Sequence, residues 1–320
     1  MKKTKAVFLD HETVDLGDLD LTSLREGPYE WCYFPKGNSS KTLERINSAE
    51  VVITNKVALN RNILSQAADL KLICIIATGT NNVDLEAAAE LGIAVTNVTG
   101  YGTPSVVQHV FALILALTTR LNDYQAAIKR GDWQRSDMFC LLDFPIRELC
   151  GKTMGIVGYG ELGRDVGRIA EAFGMELLIA QRPGGAPQAG RQPLHEMLPQ
   201  VDILTLHCPL TDATRNLISL QELALMRPDA LLINTARGGI VNEAALAEAL
   251  RRGQLGGAGF DVLTEEPPTA HNPLLQGDLP NLILTPHSAW GSHEARQRLI
   301  EEVVENITAW QRGEKRNRVA

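Results

Sequence analysis

No stretch of this 320-residue chain is strongly basic, and none is long and apolar. The formal net charge is -7 at pH 7, which disfavours a general binder of nucleic acid or of anionic membranes. The short run Lys315-Arg316-Asn317-Arg318 reads as a solvated tail. Behind Met1-Lys2-Lys3 no secretory segment is expected, because Ala6-Val7-Phe8-Leu9 is only strand-length. The longest apolar run, Val110 to Leu117, is too short to span a bilayer. Cysteine is sparse: Cys32, Cys74, Cys140, Cys150 and Cys208 are scattered, with no C-x-x-C pair. Reduced thiols in a cytoplasmic protein are therefore expected, and no metal. In that setting the three glycosylation-like triplets at Asn38, Asn97 and Asn306 read as chance. Neither nucleic acid nor membrane is expected as a partner. What remains is ordinary globular composition, 44% apolar and 22% charged, at a length that suits one or two domains.

The first hundred residues alternate strand and helix patterns. Strands are predicted over Lys5–Leu9, Val51–Thr54, Leu72–Ile76 and Ile93–Thr96. Helix-compatible stretches lie between them, at 40–49, 60–68 and 84–91, the last closed by Gly92. Short, continuously apolar strands separated by helices imply a parallel sheet covered on both faces. Thr103-Pro104 then opens an almost wholly apolar helix, Ser105–Leu121, expected to be buried between domains or subunits. Residues 122–150 read as an irregular, packed arm. A second strand series follows at 152–157, 176–180, 203–207, 231–234, 257–262 and 282–285, with helices between, which is a doubly wound pattern. A last helix, His293–Trp310, is expected to return to the first domain, so that the second is inserted in it.

Between the first strand and first helix of that second series lies Gly158-Tyr159-Gly160-Glu161-Leu162-Gly163. Strand before and helix after turn this G-x-G-x-x-G run into a dinucleotide fingerprint. The first glycine makes the tight turn, the second lets a pyrophosphate approach the backbone, and the third packs helix on strand.

In a doubly wound sheet, ligands collect at the carboxyl ends of the strands. Three reactive side chains fall there. Arg237, in Asn234-Thr235-Ala236-Arg237-Gly238-Gly239, offers a cationic fork suited to a carboxylate. Glu266 follows Phe260-Asp261-Val262 and precedes Pro267-Pro268. His287 ends Leu284-Thr285-Pro286-His287. A histidine paired with a carboxylate can give a proton to a carbonyl oxygen as hydride reaches its carbon. An arginine can hold the carboxylate of the same substrate. Together they form an apparatus for reducing a 2-oxo acid.

In these motifs and their order the chain resembles the D-2-hydroxyacid dehydrogenase family over essentially its whole length. The resemblance implies that Arg237 orients substrate, Glu266 partners the histidine and His287 is the acid/base. It places Gly158, Gly160, Glu161, Leu162 and Gly163 on the pyrophosphate of the cofactor. His207, Cys208, Pro209, Thr235, Ala236 and Asp261 would lie along the rest of it. Thr78, Gly79 and Thr80, in Ala77-Thr78-Gly79-Thr80-Asn81-Asn82-Val83-Asp84, look like the loop that takes the substrate carboxylate on backbone N–H groups. Gly100 to Val106, Phe139 to Asp143 and His287-Ser288-Ala289-Trp290 resemble glycerate dehydrogenases, also called hydroxypyruvate reductases. The implied fold is α/β, with two doubly wound parallel-sheet domains. A flavodoxin-like substrate domain would comprise 1–99 with 289–320, and a Rossmann cofactor domain 100–288. An arm of about 100–150 would form a homodimer.

The sequence departs from the NAD-preferring pattern at one place. The strand after the glycine loop ends in Gln181-Arg182 where those members carry an acid for the ribose hydroxyls. Gln181 would not repel a 2'-phosphate and Arg182 could pair with one, so NAD(H), NADP(H) or both are expected as cofactor. Other members of the family acting on phosphoglycerate or D-lactate are the nearest alternatives. A dinucleotide-sensing protein of the corepressor kind is the alternative outside catalysis.

Overall fold

The structure, a computed structural model, describes residues 3–277, 279 and 281–320. Its chain divides into two compact units: Met1–Gly102 with Trp290–Ala320, and Thr103–Ala289. The crossings thus fall at Gly102/Thr103 and Ala289/Trp290 rather than at 99/100 and 288/289.

The first unit contains β1 (Thr4–Phe8), β2 (Tyr29–Tyr33), β3 (Val51–Thr54), β4 (Leu72–Ile75) and β5 (Ala94–Thr96), all parallel in the order β2-β1-β3-β4-β5. This is the flavodoxin-like order. Alternate residues feed two cores. Val7, Val52, Ile73 and Val95 pack with Ile46, Leu64 and Ala87 on one face. Ala6, Phe8, Ile53 and Cys74 meet Leu299, Ile300, Val303 and Ile307 of the helix His293–Gln311 on the other. Arg296 of that helix, almost wholly buried, donates to Val14 O at 3.0 Å and to both Asp18 oxygens at 2.8 and 2.7 Å. The guanidinium holds the Asp18 carboxyl well below the usual carboxylate range. Two readings are corrected here. Tyr29–Tyr33 is a strand that no pattern announced, and the basic tail is not free in solvent. Arg318 bridges Thr96 in antiparallel fashion, Val95 N donates to Ala320 O at 3.0 Å, and Arg316 bonds Asn306 Oδ1 at 2.7 Å. The tail thereby covers the edge of β5, whose unpaired backbone groups would otherwise face solvent.

The second unit contains β6 (Thr153–Val157), β7 (Glu176–Ile179), β8 (Ile203–Leu206), β9 (Leu231–Asn234), β10 (Gly257–Phe260) and β11 (Leu282–Leu284). They form a parallel sheet in the order β11-β10-β9-β8-β6-β7, with a single parallel bridge, Ala180–Gln192, beyond β7. The chain runs outward from β6 to β7 and then crosses back to β8, so strand order reverses between β6 and β8. That reversal is where an open α/β sheet leaves a crevice. The helix Thr103–Thr118 buries Val110, Phe111, Leu113 and Ile114 on this sheet, against Met154, Ile156, Ile203 and Ile233. It lies so close to β10 that a Cβ on Gly259 would sit 2.9 Å from Leu113 Cβ. This apolar face thus packs on the sheet of its own unit. The helix stops before Arg120, which takes a left-handed φ of 54°, and a second helix, Leu121–Arg130, occupies ground that read as irregular. No single helix among the described residues is long and apolar enough to cross a membrane.

Candidate active site and dinucleotide cleft

The glycine loop follows β6 at the strand-order reversal. Gly158 has φ +92°, and a Cβ there would fall 2.5 Å from the His207 carbonyl. On Gly163 a Cβ would fall 2.1 Å from Gly158 O, whereas on Gly160 it would meet nothing within 4 Å. Two glycines are therefore demanded by backbone packing, and the third leaves open space. Gly160 caps the helix Glu161–Ala172 without any side-chain bond, so the first-turn N–H groups keep their capacity for an anion. Leu162 is half-buried against the core. The Glu161 carboxylate accepts from Thr103 Oγ1 at 2.8 Å, which leaves its backbone N–H as its contribution to a ligand.

The neighbouring strand ends complete a polar cleft. His207 follows β8; its Nε2 lies 2.9 Å from Thr205 Oγ1, and its buried Nδ1 has no partner among the described residues. Burial pushes its pKa down to about 4, so the ring is neutral near pH 7. Cys208 beside it is buried and its thiol is pushed up to about 11. Pro209 is exposed and its carbonyl accepts from Thr214 Oγ1 at 2.7 Å. Thr235, after β9, carries a second buried and unpartnered atom, Oγ1. Ala236 is buried, its N–H donating to Asn234 Oδ1 at 3.1 Å. An open glycine cradle, an uncapped helix end and two orphaned buried polar atoms on adjacent strand ends fit a dinucleotide. Gln181, half-buried, donates its N–H to Gln192 O at 2.8 Å, and Arg182 is exposed. No group of three metal-ligating side chains occurs among the described residues.

Beyond β9, β10 and β11 stand the three candidate catalytic residues. Asn234 Nδ2 donates to Arg237 O at 3.0 Å, tying the turn that carries Arg237. Arg237 is exposed, with Nη1 donating to Ala236 O at 2.7 Å. The next residue, Gly238, touches the β10 loop: a Cβ there would fall 1.9 Å from Leu263 O. That loop carries Glu266, whose Oε1 accepts the Leu263 N–H at 2.9 Å and whose Oε2 lies 2.6 Å from His287 Nδ1. Three turns from three adjacent strands are thus joined by direct contacts. Thr78, Gly79 and Thr80 belong to the first unit. There Thr78 Oγ1 donates to Val98 O at 2.9 Å and Asn97 Nδ2 to Thr78 O at 2.8 Å, anchoring the loop after β4.

The histidine turn is held by Asp261, which the sequence offered in another role, and by Thr285 and His109, which it did not single out. Asp261, 1% exposed, accepts from Ser288 N through Oδ1 and from Ala289 N through Oδ2, each at 2.9 Å. Thr285 Oγ1 donates to the same Oδ1 at 2.5 Å, and His109 Nε2 lies 2.9 Å from Thr285 Oγ1. The Asp261 carboxylate, expected along the cofactor, is thus occupied with two backbone N–H groups and the Thr285 hydroxyl. The signal for His109 was an imidazole on a largely apolar helix.

Comparison with known proteins adds the family. The NAD binding domain of the D-isomer specific 2-hydroxyacid dehydrogenases matches residues 111–289. The chain is 44% identical to a glycerate dehydrogenase of Methylorubrum extorquens over 98% of each chain. It is 34% identical to a hydroxypyruvate reductase of Blautia hydrogenotrophica over 97% of each. It is similar, with a TM-score of 0.81 and 28% identity, to an NADPH-dependent glyoxylate/hydroxypyruvate reductase of Sinorhizobium meliloti solved with NADP and malonate, covering 100% of this chain and 97% of that one. The chain belongs to the D-isomer specific 2-hydroxyacid dehydrogenase family and is an oxidoreductase that uses a nicotinamide dinucleotide.

Proposed function

We propose that the protein reduces a small 2-oxo acid, hydroxypyruvate and also glyoxylate, to the D-2-hydroxy acid, D-glycerate or glycolate. The observation that carries this reading is the Glu266–His287 contact of 2.6 Å, in the same unit as the glycine cleft. A reduced nicotinamide, held by the glycine cleft, would supply the hydride that reaches the carbonyl carbon. His287 gives its proton to the carbonyl oxygen. Glu266 occupies Nδ1, so Nε2, on the far side of the ring, is the nitrogen that faces substrate. Arg237 pairs with the substrate carboxylate and polarises the carbonyl; in the first unit, Thr78, Gly79 and Thr80 keep the substrate-binding role, through backbone N–H groups, that the family resemblance gives them. Gly158, Gly160, Glu161, Leu162 and Gly163 hold the pyrophosphate through backbone. His207, Cys208, Pro209, Thr235 and Ala236 line the cofactor, and Asp261 supports the nicotinamide side by fixing the His287 turn.

The choice of hydroxypyruvate and glyoxylate draws on the relatives, which bear the names glycerate dehydrogenase, hydroxypyruvate reductase and glyoxylate reductase. The neutral Gln181 and exposed Arg182 support NADP(H) as a cofactor beside NAD(H). A cytoplasmic homodimer, joined through the arm, completes the proposal. Its support is the row of exposed apolar side chains there, among them Met138, Phe139 at 91% and Leu142 at 72%. Loss of NAD(P)H absorbance across a panel of 2-oxo acids tests the substrate. Absence of turnover with every member of the panel would return the protein to the sensing alternative.

A further inference from the structure

We infer that His109 is a positioning residue for the turn that carries His287, acting through Thr285 and Asp261. The inference rests on the reading of His287 as the acid/base group. Both Asp261 oxygens already accept backbone N–H groups, from Ser288 and Ala289, and the Thr285 hydroxyl, 2.5 Å away, donates its proton to Oδ1. What Thr285 then presents to His109 is a lone pair, at 2.9 Å. His109 must therefore carry a proton on Nε2. A chain of donors runs from the helix Thr103–Thr118 through Thr285 into Asp261, and Asp261 passes the constraint to Ser288 N and Ala289 N. The same helix grips the far end of the turn, where Ser105 Oγ donates to Ala289 O at 2.7 Å.

The turn needs this bracing. His287 takes φ 52°, a left-handed backbone that a residue with a Cβ adopts only when its surroundings over-determine it. Its N–H is fixed to Asp261 O at 2.8 Å and to Thr285 O at 3.1 Å. Both of those residues lie on the His109 relay. Without the imidazole, the Thr285 lone pair loses its donor and the turn can relax. A small displacement of a proton donor is costly, about 100-fold for about 1 Å.

The test combines kinetics with nitrogen NMR. His109→Leu should lower kcat about 10- to 100-fold, with substrate KM and cofactor Kd close to wild type. His109→Gln keeps an amide donor near the Nε2 position and should recover most of the loss. His109→Leu combined with Thr285→Val should be no slower than the slower single variant, because the two act in series. Nitrogen-15 spectra of the protein without substrate should show His109 protonated on Nε2. Wild-type kcat in His109→Leu, multiplying losses in the double variant, or a bare Nε2 would each overturn the inference. If His109→Leu does not fold, Thr285→Val carries the test, and wild-type kcat there overturns it. His287→Ala separates the two levels: if that variant stays active, the acid/base reading fails, whereas if it is inactive and His109→Leu is not slowed, only the His109 relay fails.

Discussion

Glu266 holds His287 from the side of Nδ1, at 2.6 Å, while its other oxygen takes the Leu263 amide at 2.9 Å. One carboxylate therefore fixes both the β10 loop and the imidazole ring. Replacing it should separate orientation from binding. Glu266→Gln keeps the shape and loses the charge, and we expect kcat to fall about 10- to 100-fold with substrate KM changed far less. A rise in KM with unaltered kcat would remove Glu266 from this role.

Arg237 has a different signature. Its guanidinium is exposed and donates from Nη1 to the carbonyl of Ala236, which leaves its other N–H groups to an anionic substrate. Arg237→Ala should weaken kcat/KM for the 2-oxo acid by about 100-fold, the scale of lost bonds to a charged group. Cofactor Kd, read by fluorescence titration, should stay near wild type. Collapse of cofactor affinity alone would contradict the assignment.

In the proposed function, Gln181 governs the choice of cofactor. With no carboxylate after β7, NADPH should be used with kcat/KM at least equal to that for NADH. Gln181→Asp introduces a charge that repels a 2'-phosphate and should move the ratio toward NADH by about tenfold or more. A hundredfold preference of the wild type for NADH would contradict this.

His207 makes stability depend on pH. Its folded-state value of about 4 lies below the ordinary 6.5. Between those values the unfolded chain carries a proton that the folded chain refuses. Stability from this group is therefore complete above pH 6.5 and falls as the pH drops toward 4, by up to about 1.4 kcal/mol per pH unit. Thermal melts of wild type and His207→Gln should diverge across that interval, the wild type losing Tm faster. Parallel curves would show that the ring is not held neutral.

Much of this was legible in the sequence because it was carried by short-range pattern. β6, β8, β9 and β10 are buried on both faces, so they read as unbroken apolar runs between turn residues. Gly163 is fixed by a contact within one strand-turn-helix unit, against Gly158 O, and the fingerprint spacing marks Gly158 although its close contact is with His207 after β8. What escaped depends on contacts distant in sequence. Tyr29–Tyr33 is an edge strand, largely half-exposed, whose place comes from pairing with β1. The Arg316–Ala320 tail looks like a solvated charge run until β5 is beside it. The helix after Arg120 follows a left-handed break that no glycine marks. Asp261 and His109 stand 152 residues apart in the numbering (261 less 109), and only the folded sheet brings them within 3.6 Å. The chemistry-bearing Arg237, Glu266 and His287 were readable because each ends a recognisable strand.

The central claim is that His287 protonates the carbonyl of a small 2-oxo acid as it is reduced. Steady-state consumption of NADPH and NADH with hydroxypyruvate, by wild type and by His287→Ala, tests it most directly. The expected result is rapid turnover by the wild type and a loss of about 100- to 10,000-fold in kcat for His287→Ala, with cofactor still bound. Turnover by His287→Ala within a few-fold of wild type would contradict it.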